Sequence, residues 1–131
     1  MYKFTVPGRP VPAQRMTRKG KWNERSRRSL DYQAQVAWEA KAARVQGLKG
    51  ALTVSIDFYF ADKRHGDIDN HIKAILDGLQ YGRAFENDKQ IMRVEAEIFY
   101  DDEERAEICI SSDTILIEAY KVGKAILDAD R

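Results

Sequence analysis

The chain has 131 residues, 22 basic and 21 acidic side chains, a net charge of +1 and 44% hydrophobic residues. These values fit one domain, 1–131, with a core of its own and no low-complexity segment. A single cysteine, Cys109, excludes an intramolecular disulfide and fits a reducing cytoplasm. No apolar run approaches ~18 residues and no basic-then-apolar leader opens the chain, so neither a membrane span nor secretion is expected.

Tyr2, Phe4 and Val6 alternate with Lys3 and Thr5 and predict a first strand, closed by Pro7, Pro10 and Pro12. From Met1 to Arg28 nine basic residues (Lys3, Arg9, Arg15, Arg18, Lys19, Lys21, Arg25, Arg27 and Arg28) face Glu24 alone, a local charge of +8. The other 103 residues hold 13 basic and 20 acidic groups. Residues 9–28 show no period and read as a basic loop, either an arm for a polyanion or a solvated segment. Leu30, Ala34, Ala37, Trp38 and Val45 follow helical spacing, with Gly47 and Gly50 as a stop. Leu52, Val54, Ile56, Phe58 and Phe60 alternate with polar neighbours in the clearest strand of the chain.

A polar connector, 62–66, leads to a second helix marked by Ile68, Ile72, Ile75, Leu76 and Leu79. Ile91–Tyr100 and Ala106–Ser111 read as two further strands, with Asp101–Glu104 as their hairpin turn. Ser112 and Asp113 are candidate caps for a final helix, residues 113–131, whose stripe is Ile115, Ala119, Val122 and Ile126 with Gly123 weakening it. The order β, α, β, α, β, β, α predicts a mixed α/β (α+β) domain: a small mixed sheet of about four strands with two helices packed on it, plus a C-terminal helix. Cys109 between Ile108 and Ile110 reads as strand packing, not a nucleophile. Tyr81 reads as a packing residue; Trp22 could stack on bases or pack.

The chemistry concentrates in Asp67-Ile-Asp69-Asn70-His71-Ile72-Lys73-Ala-Ile-Leu-Asp77-Gly-Leu79 and Glu86-Asn87-Asp88. Like charges this close repel, and a divalent cation relieves the repulsion. Hard ions such as Mg²⁺ take carboxylate oxygen, water and a substrate phosphate. Asp67 could instead cap the helix, with Asp69 favoured by its dipole. Neither role accounts for Asp88, expected at the edge of the third strand near the start of the helix. Lys73 either joins an i,i+4 ion-pair ladder with Asp69 and Asp77 or faces a scissile phosphate. Asp77 could orient Lys73, bind metal through water, or do neither. His71 is a possible phosphate contact, although a histidine at a helix start is more often a surface residue. Lys63 and Arg64, beside His65, could touch a nucleic-acid backbone. No Cys/His spacing suggests zinc.

The pattern Asp67-x-Asp69-Asn70-x-x-Lys73-Ala-x-x-Asp77-x-Leu79, then Asn87-Asp88-x-Gln90-Ile91, resembles the RusA family of Holliday-junction resolvases. The resemblance covers roughly residues 1–112 and is specific in the motif region. It implies a homodimeric, Mg²⁺- or Mn²⁺-dependent endodeoxyribonuclease that cuts four-way junctions by paired symmetric nicks in recombination and repair. Asp67, Asp69 and Asp88 match the family's metal-binding acids, and Lys73 its essential lysine, with Asn70, His71 and Asp77 as a second tier. The family's dense arginine run before the first acid is thinner here, so DNA grip is expected to fall partly to Arg15, Arg18, Lys19, Arg25, Arg27 and Arg28, with Lys63 and Arg64. No organic cofactor is implied. The alternatives are a binding module without catalysis, and a nuclease for flaps or RNA.

Overall fold

The computed structural model describes residues 1–14 and 23–129. Its elements are β1 (Tyr2–Pro7), α1 (Glu24–Ala42), β2 (Leu52–Phe60), α2 (Ile68–Tyr81), a short 3₁₀ turn (Asp88–Gln90), β3 (Ile91–Tyr100), β4 (Arg105–Ser111) and α3 (Thr114–Ala129). The strands form one sheet in the order β1-β4-β2-β3. β2 and β3 are parallel, while β4 is antiparallel to both β1 and β2. Thus β1, β2 and β3 all point one way.

The alternation in β2 does what its period implies. Leu52, Val54, Ile56, Phe58 and Phe60 enter the main core with Val36, Ala40, Ala74, Ile75 and Leu79 from the two helices above. The intervening residues face the opposite side, where Thr53 meets Thr114 of α3 at 3.1 Å. The acidic run 101–104 is not a hairpin turn. β2 lies between β3 and β4, so the connection crosses the end of β2, where the Asp101 N–H donates to the carbonyl of Phe60.

α1 starts earlier than its spacing predicts. Asn23 caps it, accepting from the N–H of Ser26 at 2.8 Å, so residues 24–28 are helical and not loop. The inward face also differs: Ser26, Ser29, Tyr32, Val36, Ala37 and Ala40 are buried, while Leu30 and Trp38 face solvent. The reason is the close approach of α2. A Cβ on Gly78 would sit 2.7 Å from Cβ of Val36, and one on Gly82 would sit 2.9 Å from Cα of Ala37. Only small or slim side chains fit such a contact. Because Gly78 meets residues 33 and 36 and Gly82 meets residue 37, the two helices run in the same direction. Both helix N-termini therefore lie at one end of the molecule, the end where β1, β2 and β3 finish.

α3 covers the other face of the sheet with its polar side. Lys124 bridges Asp57 and Glu107, Lys121 pairs with Glu95 at 2.7 Å, and Glu118 pairs with Arg93 at 2.8 Å. Burial alone would lower the Lys124 pKa, but the two carboxylates overcome this and raise it. Ile117 is the one buried residue of the helix, so the expected stripe of Ile115, Ala119, Val122 and Ile126 points outward. Asp113 caps the helix, accepting from the N–H of Ile115 at 2.9 Å. Cys109 packs in β4, and burial pushes its thiol pKa up.

Candidate active site

The carboxyl ends of the parallel strands, the place where sheets of this kind hold ligands, gather the candidate residues at the start of α2 but not Asp88. Arg9 organises this end. Its guanidinium pairs with Asp62 at 3.1 Å and with Glu104, donates to the carbonyl of Arg64, and lies over the Phe60 ring. Arg9 thus braces the 62–64 connector and is no free charge for a polyanion. The Ala13 N–H donates to the Asn70 carbonyl at 3.0 Å, tying the segment after β1 to the start of α2.

Asp67 takes the N-cap position of α2 with extended backbone, yet its side chain makes no capping hydrogen bond. Its carbonyl accepts from Asn70 and His71 instead. Asp69 follows in the first turn, and both residues are exposed. No side-chain hydrogen bond or ion pair engages the carboxylates of Asp67, Asp69 or Asp88 among the described residues. The helix terminus favours negative charge here without consuming it. Lys73, one turn on, pairs with Asp77 at 3.2 Å and not with Asp69. The pair is solvent-exposed and contributes a few tenths of a kcal/mol at most. Asn70 is exposed, its side chain facing no partner among the described residues.

His71 is no surface residue. It is buried against Phe58 and Phe60, with ring centroids 5.5 and 5.0 Å away, and neither ring nitrogen has a hydrogen-bond partner among the described residues. Desolvation, helped by His65 and Arg9, lowers its pKa to about 4. A direct phosphate contact is therefore not its role in this conformation. His65 stacks on Phe60 at 4.5 Å, and its ring nitrogens face the Gly66 carbonyl and the Tyr100 hydroxyl at 2.9 and 2.8 Å. The Gly66 carbonyl can only accept, so Nδ1 is the donor in that contact.

Asp88 lies elsewhere. β2 and β3 are parallel, with Leu52 opposite Ile91, so the turn that carries Asp88 sits at the amino end of the sheet. Asp67 sits beyond its carboxyl end. The 14-residue α2 between them spans about 21 Å. The spacing alone suggests that the chain returns to the start of the helix. A parallel crossover instead returns it to the level where β2 begins. Among the described residues of one chain no group of three or more acids, histidines or cysteines could hold a metal.

The turn around Asp88 is nonetheless closely tied. Asn87 accepts from the Lys89 N–H at 2.9 Å, and the Gln90 side chain accepts from the Glu86 and Asn87 N–H groups. The same amide donates to the carbonyls of Leu48 and Gly50. This is a capping box on a three-residue turn, and it leaves Asp88 exposed. Its signal, Asn followed three residues later by Gln, is present in the sequence, but the positioning roles of Asn87 and Gln90 emerge only from the structure.

Of the expected DNA contacts, Arg25, Arg27 and Arg28 project from the first turns of α1, at the same end as Asp67 and Asp69, and Arg25, Arg27 and Arg28 are all solvent-accessible there. Arg28 also pairs with Glu24 at 2.8 Å. Lys63 and Arg64 are exposed there too, Arg64 lying 3.6 Å from Asp62. Arg15, Arg18, Lys19 and Trp22 lie outside the described residues. Tyr81 does not pack as expected but is exposed at the other end of α2.

The sequence matches the family model described as Endodeoxyribonuclease RusA over residues 7–111. The chain belongs to the RusA endodeoxyribonuclease family. Membership implies a DNA endonuclease of the Holliday-junction-resolving kind. No curated protein matches the chain. The match includes every residue of the acidic motif and the Asp88 turn, and it stops where β4 ends, before α3. No helix among the described residues is long and apolar enough to cross a membrane.

Proposed function

We propose that this RusA-family protein is a metal-dependent, homodimeric junction resolvase whose catalytic centres are shared between two copies. The observation that supports it most is the placement of the acids. Asp67 and Asp69 stand unengaged at a helix start beside Lys73, and Asp88, equally unengaged, is held out at the opposite end of the same crossover unit. A twofold partner resolves the separation, because it turns the amino end of one copy toward the carboxyl end of the other.

The edge that would be shared is visible. β3 is a ten-residue edge strand, and Met92, where its register with β2 shifts, is 72% exposed. Val94 beside it is also accessible, and Ile68, Ile72 and Leu76 form a row on α2 that is only partly covered. An apolar strip along an unpaired strand is a self-association surface. Its two ends are the two acidic positions. Antiparallel pairing across it makes two equivalent sites, which suits two symmetric nicks.

The donor set fits Mg²⁺ or Mn²⁺. It consists of hard carboxylate oxygens with no competing partner, and two carboxylates with water and substrate phosphate complete such a shell. The ion, when bound by Asp67, Asp69 and the Asp88 of a second copy, would activate a water and polarise the phosphate. Lys73 supplies positive charge for the transition state, with Asp77 orienting its ammonium. Arg25, Arg27, Arg28, Lys63 and Arg64 hold backbone phosphates on either side, together with the arm residues Arg15, Arg18 and Lys19.

The test is a nicking assay on a mobile four-way junction with and without Mg²⁺, with cuts mapped on all four strands. Symmetric cuts in two opposing strands are expected. Preference for a flap, a linear duplex or RNA of equal length would overturn the junction assignment. Binding without cleavage at any metal concentration would leave only a binding module.

A further inference from the structure

The C-terminal helix is amphipathic in the inverted sense. A helix on a protein surface ordinarily turns its apolar stripe inward. α3 turns three of its four charges inward: Glu118, Lys121 and Lys124 are spent on Arg93, Glu95, Asp57 and Glu107 of its own sheet, and Asp128 alone is left without an ion pair among the described residues. Thr114 adds a hydroxyl contact to Thr53, and Lys3 sits over the Tyr120 ring at 4.8 Å. The outward side carries Ile115, Val122 and Ile126, exposed by 77%, 60% and 58%, flanked by Leu116 and Leu127.

The outward residues have an order of their own. Ile115, Ala119, Val122, Ile126 and Ala129 are spaced four, three, four and three apart. That is the a/d repeat of a two-helix seam, which Leu116 and Leu127 border. Ala119 and Gly123 let a second backbone approach closely, and nothing lies within 4 Å of the position a Cβ on Gly123 would take.

From this we infer that α3 pairs with the α3 of a second copy, through a face separate from the β3 edge. Charge points to the same occupant. The seam positions themselves carry no ionic group; of the four charges beside them Glu118, Lys121 and Lys124 are neutralised at home, and Asp128 near the helix end is the one left unpaired among the described residues. A second copy therefore buries no charge in the seam, whereas a nucleic acid finds no free cation along it and meets that carboxylate. The contact is isologous, as a twofold pair of identical stripes must be. The family match ends before this helix, so the surface belongs to the part of the chain the match does not cover. Combined with a β3-edge dimer, α3 pairing joins dimers into tetramers or longer arrays and sets two junction-cutting units side by side. The helix pairing itself does not depend on the catalytic reading.

Sedimentation velocity of the full chain across a wide concentration range tests it. The wild type is expected to show an association step that Val122→Glu with Ile126→Glu shifts to about tenfold higher concentration or beyond. Both positions are exposed, and circular dichroism checks that the variant still folds. Met92→Glu should remove a different step and leave this one. As a second readout, Val122→Cys should form a disulfide-linked dimer under mild oxidation, whereas Lys41→Cys, exposed on α1 across the sheet, should not. Identical sedimentation of wild type and the double variant, with no cross-link through position 122, would overturn the inference. So would wild-type protein that shows no such step and instead floats with phosphatidylcholine vesicles, because the occupant would then be a lipid surface.

Discussion

Gly78→Ala probes the contact that orients the candidate site. A methyl group there would lie 2.7 Å from Cβ and 2.9 Å from Cγ1 of Val36, and 3.0 Å from the backbone oxygen of Gln33. Val36 is β-branched and buried, and the oxygen belongs to a helix backbone, so neither moves aside locally. Restoring ordinary contact of roughly 3.5 Å requires α1 and α2 to separate by nearly an ångström. Overpacking of this sort costs about 1–3 kcal/mol. Alanine recovers about 1 kcal/mol through helix propensity. The net expectation is a loss of up to about 2 kcal/mol, read as a lower denaturant midpoint at constant slope. Gly123→Ala is the matched control, since its methyl would meet nothing. It should stabilise by up to about 1 kcal/mol. Urea unfolding of both variants, followed by far-UV circular dichroism, decides the matter. If both substitutions stabilise, the helices do not approach as described and the placement of Asp67 and Asp69 loses its support.

Other perturbations reach the rest of the account. His71 has a folded pKa of about 4 against 6.5 in the unfolded chain. Between those values the unfolded chain takes up a proton that the fold refuses. Stability is full above pH 6.5 and falls by roughly 3 kcal/mol as pH drops through 4. His71→Leu should flatten that dependence in pH-resolved urea titrations, and an unchanged slope would mean the ring is not neutral and buried. Asp67→Asn should keep junction affinity in gel-shift titrations and lose Mg²⁺-dependent nicking; unaltered cleavage would remove the metal reading. Lys73→Met should slow nicking about 10²–10³-fold, with junction affinity changed little, and a variant that cuts at the wild-type rate would reduce Lys73 to a solvated partner of Asp77. Neutralising Arg27 and Arg28 together should flatten the salt dependence of binding by about 0.9 in log–log slope for each phosphate they neutralise in the wild type, and an identical slope would make them bystanders.

The sequence carries its local periods well and its long-range geometry poorly. The bounds of β2, α2 and β3 follow from alternation and helical spacing, because β2 and α2 bury large side chains on a defined face and β3 half-buries Ile91, Ala96 and Ile98 against the same core. α1 misleads because its buried face is built from Ser26, Ser29, Ala37 and Ala40, small residues that hydrophobicity alone does not mark, while Leu30 and Trp38 stay outside. α3 misleads for the opposite reason: its apolar stripe is real but is not what docks it. The acidic motif at the start of α2 is legible as chemistry. Its relation to Asp88 is not, because that depends on β3 lying parallel to β2, and no local pattern in either strand encodes its neighbour. The burial of His71 likewise comes from Phe58 and Phe60 on a strand earlier in the chain. Arg9, counted among the charges of a basic arm, is spent on Asp62 and Glu104, partners far away in sequence.

Mixed dimers test the shared centre most directly. One chain carries Asp67→Asn and Asp69→Asn, the other carries Asp88→Asn, and the two are co-expressed with different tags and purified through both. Each homodimer should be inactive. In the mixed dimer, a centre shared between copies regains one complete set of acids, so nicking of a single junction strand should return. If the mixed dimer stays as inactive as its parents while a tagged wild-type pair cuts normally, the acids do not meet between copies and the proposed centre is wrong.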